Sequence, residues 1–323
     1  MTTRGSRFRL TFAIVATIVI ALPATVLAHS GEPLEPHDVW TAWSFEPGIV
    51  ISLMLSAVLY VKGAFPLLRN ISTIKSKARF EALCFAGGWL ALVIALVSPV
   101  HPMGEVLFSA HMTQHEILML VAAPLLVLGR PMLPFLWALP MQWRRRAGKI
   151  SRLPLVQKPW HFLTGPVVAG VIHGVTLWVW HIPALFDATL TSDLVHTTQH
   201  LSFLITALFF WWALIHGRDG RIGYGAAVLY LFITAVHTSV LGALMTFAPT
   251  VWYPVYGNSP VAWGLTPLED QQLGGLIMWV PAGLIYVVAG LAMFAAWIRE
   301  SERRALRREA SAVPGSLWSK NGL

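Results

Sequence analysis

Two five-residue strings repeat a pattern capable of chemistry: His111-Met112-Thr113-Gln114-His115 and His196-Thr197-Thr198-Gln199-His200. On a helix, residues i and i+4 lie one above the other with i+3 beside them, so each string presents two imidazoles and an amide on one face. Neutral imidazoles one turn apart can chelate a single ion, and two facing stripes offer up to four nitrogens. Gln114 and Gln199 are placed to orient such ligands by hydrogen bonds. A lone HxxxH pair is as often an interfacial pair that snorkels to water. Two pairs sharing Thr-Gln and the same depth favour a metal or cofactor site.

The elements that must hold these strings follow from composition: 56% of residues are hydrophobic, 12% are charged and 15 are tryptophan. That balance defines an all-α, polytopic membrane bundle. A hydrocarbon core of about 30 Å takes roughly 20 apolar residues per helix. Suitable runs occur near 46–65, 81–99, 107–129, 163–181, 195–216, 224–248 and 273–297, seven spans in all. Before them, Arg4, Arg7 and Arg9 precede an apolar run ending in Val26-Leu27-Ala28, which reads as a signal peptide over 1–28, or as an uncleaved anchor. The expected organisation is this leader, an outer segment 29–45, a seven-helix domain 46–298 and a basic tail 299–323.

Lysine and arginine gather in cytoplasmic loops. Here they cluster after the first, third, fifth and seventh spans, for example Arg144, Arg145, Arg146 and Lys149, while the alternate loops carry Glu105, Asp187, Asp193, Glu269 and Asp270. The expected placement is a bacterial inner membrane, with the N-terminus outside and the C-terminus in the cytoplasm. The net charge of +8 is then accounted for by topology and anionic membrane lipid, and nucleic acid is excluded as a partner. A single cysteine, Cys84, leaves neither an internal disulfide nor a CxxC site.

Laid over this topology, ten of the twelve histidines fall in outer loops or in the outer half to middle of the spans, and within the spans ionisable groups are costly and mark function. His111, His115, His196 and His200 are the principal candidate ligands. Asp193 is expected to cap the fifth span and set His196 in its first turn. His181, His173 and His237 are weaker candidates, equally explained by hydrogen bonds between helices. Met112 and Met245 are thioether candidates for Cu(I), against the commoner packing role. Asp270 either caps the last span or turns a carboxylate toward the histidines. His29, as a new N-terminus after leader cleavage, would chelate Cu(II) through its amine and ring.

The strings HMTQHEILMLVAAPLLVLGRP, WVWHIPALFDATL, HTTQHLSFLITALFFWW and DQQLGGLIMWVPAG resemble those of the CtaG-type bacterial cytochrome c oxidase assembly factors, a seven-span family implicated in maturing the oxidase's copper centres. The resemblance runs over residues 38 to 300. It implies a metallochaperone and no enzyme, with copper, as Cu(I), on the paired histidines. Its implied partners are oxidase subunits, with a periplasmic copper carrier as a further one. The second pair departs from the expected pattern in carrying Thr198-Gln199 where an acidic residue would precede the last histidine. Rival readings are a bis-histidine haem protein using His115 and His200, a copper or proton permease stepping through His173 and His237, and a di-iron oxygenase, disfavoured because its histidines would face outward.

Overall fold

A computed structural model describes residues 34–69, 75–216 and 224–312 of the chain. The leader 1–28, His29 and the end of the basic tail lie outside the described residues. All regular structure among the described residues is helical. The helices are α1 Pro47–Arg69, α2 Lys75–Leu96, α3 Val100–Val106, α4 Phe108–Glu116, α5 Ala123–Gly129, α6 Met132–Ala138, α7 Met141–Ile150, α8 Pro154–Leu163, α9 Pro166–Trp180, α10 Pro183–Thr191, α11 Asp193–His216, α12 Tyr224–Thr246 and α13 Pro267–Ala312.

Six of the described helical stretches are long and apolar enough to cross a membrane, and the bent pair α8–α9 makes a seventh when counted as one span. This pair is where the expected run 163–181 is corrected. Gly165-Pro166 interrupts it, because the proline ring lacks the N–H that would continue α8 and its fixed φ suits a helix start. The two halves meet at 66°. Two further boundaries move. The second span, expected over 81–99, runs on to Val106: α2 ends at Leu96, and after a turn Pro99 opens α3, which carries His101 into the bundle. The last span extends as α13 over 46 residues, well into the basic tail.

The core is built around α11. Phe203, Ala207, Phe210, Trp211 and Leu214 pack with Met119 and Ala123 of the third span, Ala227 and Leu231 of α12, and Ala282 and Tyr286 of α13. By contrast α1 and α13 leave Val61, Phe65, Leu284, Val287 and Leu291 exposed, as lipid-facing helices do where no water must be avoided. Between α4 and α5, Ile117–Ala122 forms a π-helical turn. Such a turn widens the helix and displaces its backbone ladder. The Trp211 indole N–H donates to the Met119 carbonyl at 2.9 Å, so a polar group of the widened turn is satisfied inside the core.

Close approach of α13 to its neighbours depends on Gly274 and Gly275. A Cβ on Gly274 would meet the Phe108 ring, and one on Gly275 would lie 2.8 Å from the Gly242 carbonyl oxygen of α12. Small residues at such crossings let membrane helices touch along their backbones. The segment 247–266 between α12 and α13 folds over this end of the bundle. It turns at Gly257 and Gly264, which hold φ of +53° and +77°, a region open to glycine. Its Tyr253 and Tyr256 are buried against Phe108, Met112, Phe186 and Met245.

Candidate metal centre

The two HxxxH strings meet. The rings of His115 and His200 lie 5.3 Å apart between centroids, those of His111 and His200 5.9 Å, and those of His111 and His196 5.4 Å. Each stripe folds as its spacing requires, one turn of α4 and the first turns of α11 bringing i and i+4 onto one face. One nitrogen from each of His111, His115 and His200 lies within 4.8 Å of the others. Three nitrogens on one ion at about 2 Å lie roughly 3.3–3.6 Å apart, so small ring rotations separate this arrangement from coordination.

Hydrogen bonds decide which nitrogens are available. His111 meets an acceptor at each nitrogen, the Gly104 carbonyl oxygen 3.3 Å from Nδ1 and Gln199 Oε1 3.1 Å from Nε2; a neutral ring donates to only one of them, so with its proton on Nδ1 the Nε2 lone pair becomes a ligand once the Gln199 carbonyl turns aside. Both nitrogens of His115 and the Nε2 atoms of His196 and His200 are buried with no hydrogen-bond partner. His115 is 1% exposed. A buried polar atom left unpaired costs about 1–3 kcal/mol, and an ion would remove that cost at several of these atoms at once. Imidazole nitrogens are suitable donors for Cu, Zn, Fe or Ni, so the donor set fits a transition metal.

The glutamines act across the motifs. Gln199 of the second string meets His111 of the first through its Oε1. Gln114 instead reaches His101 and α2: its amide donates to the Ala95 carbonyl at 2.7 Å and to His101 Nδ1 at 2.8 Å. The Ala95 carbonyl can only accept, and this fixes the amide's orientation. His101 must then carry its proton on Nε2 and donate it to Glu46, 3.1 Å away. That hydrogen bond holds the Glu46 carboxyl below its ordinary value, against a smaller opposing effect of burial.

The locked His101 ring stacks on His196 with centroids 5.3 Å apart and planes 6° from parallel. His101, His196 and His200 form a second group with one nitrogen each within 4.8 Å of the others. Both nitrogens of His101 are already engaged, so His196 and His200 supply that group's unpaired atoms. Spacing gave no signal for His101 and Glu46. The available clue was positional: Glu46 immediately precedes the first span and His101 follows Pro99 near the end of the second, at one end of the bundle.

The weaker candidates lie elsewhere. The His181 Nδ1–H donates to the Leu177 carbonyl at 2.7 Å, and its own carbonyl accepts from the Tyr253 hydroxyl. It joins neither group. His173 bonds Thr206 at 3.0 Å, with the Gly174 backbone of the same helix packed beside the His237 ring. Met112 and Met245 are core residues among Phe108, Phe186 and Tyr253.

Two capping expectations change. Ser192 offers the carbonyl that accepts from the His196 N–H, so Asp193 is the first residue of α11 rather than its cap, though its charge still suits the dipole there. The last span is capped by Thr266 and Glu269. The Glu269 N–H donates to Thr266 Oγ1 at 3.2 Å and the Thr266 N–H to Glu269 Oε2 at 2.8 Å, a reciprocal capping box. Asp270 is thereby released to cap α4: its carboxylate accepts from the N–H groups of Phe108 at 2.6 Å and Ser109 at 3.1 Å. It steadies the helix bearing His111 and His115 rather than facing them.

A multi-span helical protein with imidazoles buried where two spans meet is thus the class defined by fold and site. The chain belongs to the cytochrome c oxidase caa3 assembly factor family, whose pattern it matches over residues 58–300. It is also similar to uncharacterised proteins of Mycobacterium bovis and Mycobacterium tuberculosis, each 29% identical over 280 residues, covering 85% of this chain and 42% of the relative. A Mycobacterium leprae protein is 28% identical over 295 residues, covering 87% and 43%. The chain therefore spans about two-fifths of the length of these relatives. No solved structure matches it.

Proposed function

We propose that this assembly factor is a membrane copper chaperone that holds Cu(I) on His111, His115 and His200, with His196 beside them, and passes it to a cytochrome c oxidase subunit. The observation that carries the reading is the convergence of those nitrogens within 4.8 Å, with His115 buried and unpaired at both. Few, exchangeable neutral ligands suit handover better than a closed four-ligand structural site. The ion is cargo, and the protein performs no covalent chemistry on it.

The centre faces the outside of a bacterial inner membrane on this reading. The support is the placement of Arg144, Arg145, Arg146, Lys149 and Arg152 on α7 and the turn after it, beyond the far end of the third span from His111 and His115. The cavity beside the histidines holds about 100 Å³, well below the roughly 300–1,000 Å³ of sites for drug-sized ligands.

The test is elemental analysis and absorption spectroscopy of the purified protein, with the His115→Ala/His200→Ala double variant. One copper per chain without a Soret band, lost in the double variant together with oxidase activity in membranes, is the expected result. Wild-type copper and oxidase in the double variant would sink the proposal.

A further inference from the structure

Beside the histidine centre lies a cavity of about 100 Å³ lined by Glu46, Glu105, Asp193, His101, His196 and His200, among others. Its three carboxylate residues are exposed, whereas His101 and His200 are buried, so the cavity connects surface to centre. His200 is 7% exposed, and its Nε2 has no hydrogen-bond partner. On the other side of the centre, Phe186, Tyr253 and Tyr256 pack over Phe108 and Met112, and the Tyr256 hydroxyl donates to the same Gly104 carbonyl that holds His111. The centre is closed there and approached here.

We propose that this cavity is the route by which a cation enters and leaves the centre, with His196 as first contact and His200 as the ligand common to both stages. The inference rests on the copper-binding reading above and adds a path to it. Carboxylates at a mouth with low-dielectric walls concentrate cations locally. His196, held by its stack on His101, and His200, with ring centroids 4.2 Å apart, receive the ion. The bond to His200 persists while the bond to His196 breaks and bonds to His111 and His115 form. Copper stays Cu(I) throughout, and no electron or proton is transferred. The chain Gln114–His101–Glu46 makes His101 a positioning residue, which keeps the His196 ring at the mouth without binding the ion.

The test separates route from site. A bulky residue in the passage slows entry and exit by the same factor and leaves affinity unchanged, because equilibrium does not depend on path. Full-length protein in detergent is loaded with Cu(I), and loading and release are timed against a colour-forming Cu(I) chelator. Ile49→Trp, at the cavity wall, should slow both rates at least tenfold with unchanged affinity and melting temperature. Glu105→Gln/Asp193→Asn, at exposed positions, should slow loading about tenfold at low salt and flatten its salt dependence. Wild-type rates in both variants overturn the route while leaving the copper site intact. A wild-type protein that binds no Cu(I) overturns the site, and the route with it.

Discussion

His115 and His200 face each other across the junction of α4 and α11, their rings 5.3 Å apart and 83° from coplanar. Each carries a buried nitrogen that meets no hydrogen-bond partner. Such an arrangement is costly without an ion, which gives it a signature in stability. His115→Leu removes two unpaired polar atoms at little change in volume. It should raise the melting temperature of metal-free protein, by about 1–3 kcal/mol in stability, and, on the copper-chaperone proposal, abolish the further stabilisation that Cu(I) should give wild type. Differential scanning fluorimetry with and without Cu(I) measures both; a metal-free variant less stable than wild type would contradict the account.

Asp270 caps a helix that is not its own, and its loss should be felt at the histidines. Asp270→Ala leaves the Phe108 and Ser109 N–H groups unpaired in a buried site, at a cost of about 1–3 kcal/mol for each group exposed this way. Asp270→Asn keeps one acceptor and should cost less. Thermal unfolding ranks the two, and copper occupancy should fall in the same order, since α4 carries both His111 and His115.

Gly274 touches the ring of Phe108, and no side chain fits there without moving α4 against α13. Gly274→Ala should destabilise the protein by about 1–3 kcal/mol, as overpacking does. Gly283, beside which a Cβ would meet nothing within 4 Å, should accept alanine with no loss. Parallel melts of the two variants make the comparison.

The Glu46 carboxyl is held below its ordinary value of 4.5 by the His101 N–H. A lowered carboxyl stabilises the fold above its unfolded value, and that contribution is lost as pH falls through the folded one. Stability should therefore drop on acidification below about pH 4.5, and Glu46→Gln should flatten that part of the profile. Infrared difference spectra of the two proteins should show the Glu46 carboxyl stretch only at the acid end.

His173 and His237 stand apart from the ligand groups, His173 engaged with Thr206 on α11. His173→Ala should leave copper content at the wild-type level while loosening the contact between α9 and α11. Copper loss equal to that of His200→Ala would revive a stepping-stone role for these residues.

Composition was enough to define a multi-span helical protein, because a lipid-exposed backbone has to satisfy its own hydrogen bonds and continuous apolar runs of about 20 residues do so as helices. The i, i+4 spacing was enough to align His111 with His115 and His196 with His200, since that relation is local to one helix. The break at Gly165-Pro166 was legible as a proline signal, yet the apolar run around it is continuous, and hydropathy does not register a bend.

What only the tertiary structure decided were the relations between helices. That α4 and α11 are neighbours depends on the packing of Met119, Ala123 and Phe203 and on glycines that admit α13. The recruitment of His101, the pairing of Gln114 with it, and the use of Asp270 on another helix join residues distant in sequence through single hydrogen bonds. Periodicity carries no trace of these, because it records which face of a helix is apolar and not which helix that face meets.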